Sequence, residues 1–283
     1  MIDLTAGPLV LDGGLGTLLE SRGNDVASPL WSARVLRDDP DEVRAAHAEF
    51  AAAGADVLIT ASYQVGFGGP IPDAEVEMLL RRSVSLAREA GDGLVAASVG
   101  PIGALRADGS EYTGAYGLDV AALRAQHRRR LGVLADAGAD LLAVETVPSP
   151  LEVEALALEL ADLGVPAFVS LSADSTGFAA PGSRAAALRT AASVPGVVAV
   201  GVNCCAPGSV GPALAEAPAV PLVAYPNTGE RWDATTRTWH GGAAPLAEDA
   251  AGVAAGARLV GGCCRSTPAD IAGIVAAVRP HRP

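Results

Sequence analysis

Eight short apolar runs, separated by longer amphipathic stretches, limit what this chain can fold into. They cover residues 9–11, 57–59, 94–99, 141–144, 168–171, 197–202, 222–225 and 258–261. A strand with one face in water alternates apolar and polar residues. These runs are continuous, which marks parallel strands buried on both faces. Helical periodicity fills the gaps, for example over 40–53, 74–90, 120–137, 150–163 and 268–278. Two of these helices end in Ala-Gly-Ala-Asp, at 53–56 and 137–140, with Gly54 and Gly138 as C-caps and the Asp opening the next strand. Pro40 and Pro268 suit a first helical turn, and Asp39 and Thr267 suit the N-caps before them. Eight strands, each followed by a helix, predict an α/β chain closed into a (β/α)8 TIM-like barrel, with residues 1–283 as a single domain. The long irregular stretches 21–39, 106–118 and 226–243 each follow a strand, so they should cover the C-terminal face of the barrel.

The cysteines fall where such a barrel keeps its chemistry. One strand ends in Gly201-Val202-Asn203-Cys204-Cys205 and the last ends in Gly261-Gly262-Cys263-Cys264-Arg265. Strands six and eight are separated by one strand, so their C-terminal ends can converge. Three thiolates make a tetrahedral metal site with one position open, the pattern of a catalytic zinc. Cys204, Cys263 and Cys264 are the candidate ligands, and Cys205 should point away from Cys204. Inert buried thiols or a vicinal Cys263–Cys264 disulfide are the competing readings. The Gly-Gly pair before Cys263 favours the metal, since small residues let the backbone turn two neighbouring side chains toward one ion. No His-x-His or His-Glu-x-x-His occurs, and His47, His127, His240 and His281 fall in helices, loops or the tail. An all-thiolate site suits the activation of another thiol.

Composition removes several alternatives. All twenty basic residues are Arg. Without lysine there is no Schiff-base or pyridoxal-phosphate chemistry and no Walker-type phosphate loop. The formal net charge is −12, and the one basic cluster, Arg128-Arg129-Arg130, reads as a solvated helix face, so nucleic acid is not an expected partner. The opening residues lack a signal-peptide pattern, and no apolar stretch is long enough for a membrane span, so a cytoplasmic location is expected. Cysteines in that compartment are metal-binding or catalytic more often than disulfide-bonded. A thiol redox protein or a non-catalytic metal-binding barrel would be a different class, but the redox reading expects a Cys-x-x-Cys pair, which is absent.

Two acids join the cysteines at strand ends. Asp12 follows the first strand in Leu11-Asp12-Gly13-Gly14-Leu15-Gly16-Thr17, whose glycines lack dinucleotide-loop spacing. Glu145 ends the fourth, in Glu145-Thr146. Buried carboxylates need partners; two in one pocket suit an ammonium group, and anchoring the backbone through hydrogen bonds is the alternative role for each.

Together with Thr60-Ala61-Ser62-Tyr63-Gln64, Glu111-Tyr112-Thr113-Gly114-Ala115-Tyr116 and Tyr225-Pro226-Asn227-Thr228-Gly229-Glu230, these motifs resemble the homocysteine S-methyltransferase family along the whole chain. The resemblance implies zinc held by Cys204, Cys263 and Cys264, and the amino group of homocysteine held by Asp12 and Glu145. Backbone N–H groups near the barrel mouth, with Gly13 among the contacts, would meet its carboxylate. Ser62 and Tyr63 are further candidate substrate contacts, and Tyr63, Asn203 and the loop 226–232 are the candidates for shaping the methyl-donor pocket, with Asn203 first among them and the candidate for acting in catalysis. The implied reaction moves a methyl group from a sulfonium donor, S-methylmethionine or S-adenosylmethionine, to the zinc-bound thiolate of homocysteine. Selenocysteine as acceptor and betaine as donor are the alternatives within the same chemistry. The expected partners are these small molecules.

Overall fold

The computed structural model describes residues 4, 6–26, 30–106, 108–233, 238–244, 246 and 256–279. Its strands are β1 (Leu9–Val10), β2 (Val57–Ile59), β3 (Leu94–Val99), β4 (Leu141–Val147), β5 (Ala167–Ser172), β6 (Val197–Asn203), β7 (Leu222–Tyr225), β8 (Arg231–Asp233), β9 (Thr238–His240) and β10 (Ala257–Val260). Eight of them are parallel and hydrogen-bonded in the order β1-β10-β7-β6-β5-β4-β3-β2. A parallel bridge between Leu11 and Val57 joins the ends of that order into a ring. This is the (β/α)8 barrel that the apolar runs predict. The helices are α1 (Leu15–Ser21), α2 (Ser32–Asp38), α3 (Pro40–Ala52), α4 (Asp73–Glu89), α5 (Ile102–Arg106), α6 (Val120–Ala135), α7 (Pro150–Leu160), α8 (Ser183–Ala192), α9 (Pro207–Leu214) and α10 (Pro268–Val278). The helix expected after β7 and His281 lie outside the described residues.

The runs are apolar throughout because each strand has two covered faces. Inside the ring Leu11, Val57, Leu141, Phe168 and Leu259 interleave with Ala96, Ala143 and Ala199, large against small. Outside, the other strand residues meet helix faces such as Val76, Leu79, Leu80 and Val84 of α4, spaced at one helical turn.

The Ala-Gly-Ala-Asp repeat marks one joint used twice. The expected C-cap glycines lie just past the helix ends: the C-caps are Ala53 and Asp136, and Gly54 and Gly138 follow with φ of +97° and +84°. Asp56 then accepts the N–H of Val10, and Asp140 the N–H of Val95, both at 2.7 Å. Each acid caps the start of the strand before its own.

Several local expectations are corrected. Thr267 caps α10 in a capping box with Asp270, but the Asp39 side chain caps nothing. Asp39 is a one-residue elbow between α2 and α3, and its own N–H closes α2 on Val35. The stretch 21–39 is not irregular throughout, because Ala33, Val35 and Leu36 bury one face of α2. The stretch 226–243 carries the antiparallel pair β8–β9. The basic cluster of α6 is not all solvated. Arg128 pairs with Glu159 at the surface, whereas Arg130 is fully buried against His127 and the Gly100 carbonyl.

Candidate active site

The C-terminal strand ends open into a cleft of about 940 Å³, the open solvent at its mouth included. Cys204, Cys263 and Cys264 lie on its wall. Their sulfurs are all within 4.8 Å of one another, with Cys204 and Cys264 3.8 Å apart. Strand geometry alone would not bring them together. Cys204 leaves β6 with φ +49°, a left-handed conformation that costs a non-glycine residue on the order of 1–3 kcal/mol. That turn sends Cys204 to the mouth and Cys205 into the outer core, where burial raises its thiol pKa far above the usual range. On the other side, the regular sheet register ends at Val260, and Gly261 passes tightly against Leu11 and Gly262 against Ser266. A Cβ on Gly261 would sit 2.7 Å from the Leu11 Cβ, and one on Gly262 2.3 Å from the Ser266 Oγ. Close approach is therefore what demands the two glycines. The Cys263 N–H then donates to the Pro226 carbonyl at 2.7 Å and the Cys264 N–H to Asn227 Oδ1 at 3.1 Å.

The three thiols share their protons unequally. Hydrogen bonds from Cys263 and Cys264, helped by Tyr112 and Asn227, hold Cys204 well below the ordinary thiol range. Cys263 and Cys264 are pushed up in turn. The Tyr112 hydroxyl lies 3.5 Å from the Cys204 sulfur. This cluster has the donor set, the spacing and one open side for a metal ion.

Both candidate acids line the same cleft. Glu145 is buried and accepts from Ser98 and, at 3.1 Å, from the Tyr225 hydroxyl. Burial outweighs those bonds and lifts its pKa to about 7. Asp12 accepts the Ile59 N–H at 2.9 Å and is also raised, first by burial and then by the charge of Glu145. His47 lies 3.9 Å from Asp12, but burial lowers its pKa to about 4, so it faces the acid as a neutral ring.

Gly13 and Tyr63 also line the cleft, whereas Ser62 and Asn203 do not. The Ser62 hydroxyl donates to the Ser98 carbonyl and bonds Thr60 beneath the wall. The Asn203 carboxamide is fully buried. Its Oδ1 accepts from the Thr146 N–H at 2.7 Å and the Ser170 hydroxyl at 2.8 Å, and its Nδ2 donates to Thr146 Oγ1 at 2.8 Å. With every polar atom engaged, it is placed to hold Thr146, at φ +58°, and the adjoining Glu145. Asn203 therefore stands behind the cleft wall rather than on it. Sequence reasoning assigns no role to Glu111, Tyr112, Trp31 or Trp239, which all line the cleft. The signal available for the first two was their position in a polar loop after a strand end.

The family model described as homocysteine S-methyltransferase matches residues 9–278. The chain belongs to the homocysteine S-methyltransferase family. It is a methyltransferase, 44% identical to the homocysteine S-methyltransferase of Escherichia coli over 95% of this chain and 94% of that one. The selenocysteine methyltransferase of Astragalus bisulcatus is 40% identical, over 94% of this chain and 90% of its own. The metallated crystal form of the Escherichia coli homocysteine methyltransferase superposes with a TM-score of 0.81 at 41% identity, covering 95% of this chain and 96% of the other. As a homocysteine S-methyltransferase family member, the chain carries its three clustered thiols on the same barrel as a relative known in a metal-bound form. Among the described residues no helix is long and apolar enough to cross a membrane.

Proposed function

We propose that this chain is a zinc-dependent enzyme that moves a methyl group from a sulfonium donor, S-methylmethionine or S-adenosylmethionine, to the thiol of L-homocysteine, giving methionine in the cytoplasm. The observation that carries the reading is the convergence of Cys204, Cys263 and Cys264 beside two buried carboxylates in one cleft. A tetrahedral ion with metal–sulfur distances of about 2.3 Å needs sulfurs roughly 3.8 Å apart, and Cys204 and Cys264 stand 3.8 Å apart. Among the described residues the cluster contains no histidine or carboxylate, and an all-sulfur set suits zinc. Bound there, the ion would supply the positive charge that lets a substrate thiol ionise at neutral pH.

The remaining work falls to the chain itself. Asp12 and Glu145 would take the ammonium of homocysteine, and that pairing would offset the cost of burying two acids. The backbone around Gly13 would take its carboxylate. Tyr63, Tyr112, Trp31 and Trp239 give the cleft an aromatic wall. Such surroundings hydrate a sulfonium poorly, and its charge disappears as the methyl leaves, so the wall favours transfer. Holding donor and acceptor in line supplies much of the rest. The similarity to a selenocysteine methyltransferase supports selenocysteine as a second acceptor at the same site.

The test is methionine formation from homocysteine and each sulfonium by the reduced, zinc-loaded protein, with and without a strong chelator. Chelator-sensitive turnover is expected. Full turnover after verified metal removal would overturn the metal's role. No turnover with either sulfonium would overturn the donor class.

A further inference from the structure

Asp12 and Glu145 together account for one ammonium group in the cleft, yet a third carboxylate lines it. Glu111 stands in the 3-10 turn Ser110–Tyr112 of the loop after β3. Its turn packs closely against α5. A Cβ on Gly103 of α5 would lie 2.2 Å from the Glu111 backbone nitrogen, so only glycine lets the turn rest on α5. Both ends of the loop are tied to one buried acid. Glu152 accepts the Ile102 N–H at 2.8 Å and the Tyr116 hydroxyl at 2.9 Å. The same loop delivers Tyr112 to Cys204.

Glu111 differs from its neighbours in what its carboxylate meets. Both oxygens of Glu145 and both of Glu152 have donors. Glu111 Oε2 is shut off from solvent and has no hydrogen-bond partner among the described residues. Such an atom is costly to a fold, and the Glu111 residue lines the cleft, where a bound ligand would supply the missing donor. Burial, and then the charge of Cys204, push this carboxyl up to about 7, so it gains from any cation placed against it.

We propose that Glu111 binds the α-ammonium of an amino-acid sulfonium donor and so selects donors that carry an amino group. The inference rests on the sulfonium reading above. The donor has two positive groups, and the reaction distinguishes them. The charge on sulfur vanishes as the S–CH3 bond breaks and its electron pair returns to the donor sulfur. A carboxylate set against that sulfur would stabilise the bound donor more than the transition state. The ammonium keeps its charge throughout, so pairing with it lowers KM and leaves kcat alone. The acceptor's ammonium already has Asp12 and Glu145.

The experiment compares Glu111→Gln with wild type on two donors, S-methylmethionine and its desamino analogue, (3-carboxypropyl)dimethylsulfonium, at saturating homocysteine. In the variant, KM for S-methylmethionine should rise roughly ten- to hundredfold, the range set by one hydrogen bond between charged groups. Its kcat, the KM for homocysteine and both constants for the desamino donor should hold within about twofold. Glu111→Asp, which keeps the charge, should retain part of the preference for the amino donor. An equal loss on both donors, an unchanged KM for S-methylmethionine, or a loss confined to kcat would overturn the assignment. Wild type that makes no methionine from S-methylmethionine, its desamino analogue or S-adenosylmethionine would overturn the sulfonium reading, and this assignment with it.

Discussion

Replacing Asn203 by alanine should cost about 1–3 kcal/mol of stability and weaken homocysteine binding. The carboxamide makes three hydrogen bonds in a dry setting, two of them to Thr146. Its loss strands the buried Thr146 N–H, which costs about 1–3 kcal/mol. Ser170 still has the Tyr225 hydroxyl at 2.8 Å, so its share is small. Thr146 also sits at φ +58°, where a β-branched residue stores on the order of 1–3 kcal/mol. Part of that strain is relieved once the clamp is gone, which lowers the net destabilisation but lets the backbone at Glu145 move. A drop of this size is a large fraction of a typical 5–15 kcal/mol total. Urea unfolding of the metal-free, reduced protein measures it as a lower midpoint at constant slope. Steady-state kinetics should show the KM for homocysteine rising more than kcat falls. Unchanged stability with an unchanged KM would refute the clamp. A collapse of kcat alone would make Asn203 a group that touches the reacting atoms.

Three further outcomes follow from the same geometry. Cys204→Ala should abolish both bound metal and turnover, while Cys205→Ala, made in the outer core, should keep full metal stoichiometry by elemental analysis; metal loss in the second variant would show that the ligand set is wrong. Glu145 favours its protonated form in the fold, with a pKa of about 7 against an ordinary 4.5, so its stabilising contribution is complete below about pH 4.5 and lost as pH rises through 7. The stability difference between wild type and Glu145→Gln, read from urea midpoints of metal-free protein at pH 5 and pH 8, should therefore shift against wild type by up to about 3 kcal/mol, and a flat difference would refute the burial argument. Glu152→Ala strands the Ile102 N–H, the Tyr116 hydroxyl, His127 and the buried Arg130 beside it, and should cost about 3–5 kcal/mol in thermal or urea unfolding; a loss under about 1 kcal/mol would mean that this network is not structural.

The barrel was legible because its strands are apolar on both faces, and the thiol cluster because its cysteines end two such strands. Hydrogen-bond partners distant in sequence were less legible. Arg130 looks like its neighbours Arg128 and Arg129, and its burial depends on where α6 meets the Gly100 carbonyl and His127. Asn203 and Ser62 belong to motifs at the mouth, yet their side chains spend their bonds on Thr146, Ser170, Thr60 and the Ser98 carbonyl below it. Asp39 has the residue type of a cap, but α2 ends on it and fixes its backbone first. Glu111 and Tyr112 carry no periodic signal, because a loop is aimed by contacts such as Gly103 and Glu152 that local sequence does not encode.

The bridge between Leu11 and Val57 that closes the ring sits directly beside Asp12. The Asp12 N–H donates to the Val57 carbonyl at 3.0 Å, and its carboxylate takes the Ile59 N–H at 2.9 Å. The residue read as gripping the acceptor's ammonium is therefore also the stitch at the shortest seam of the sheet. Breathing of the empty protein should begin at that seam, where few bonds must break. An ammonium that fixes Asp12 would damp the motion, and slower amide hydrogen exchange at Ile59 would register the occupied cleft as a tightened barrel.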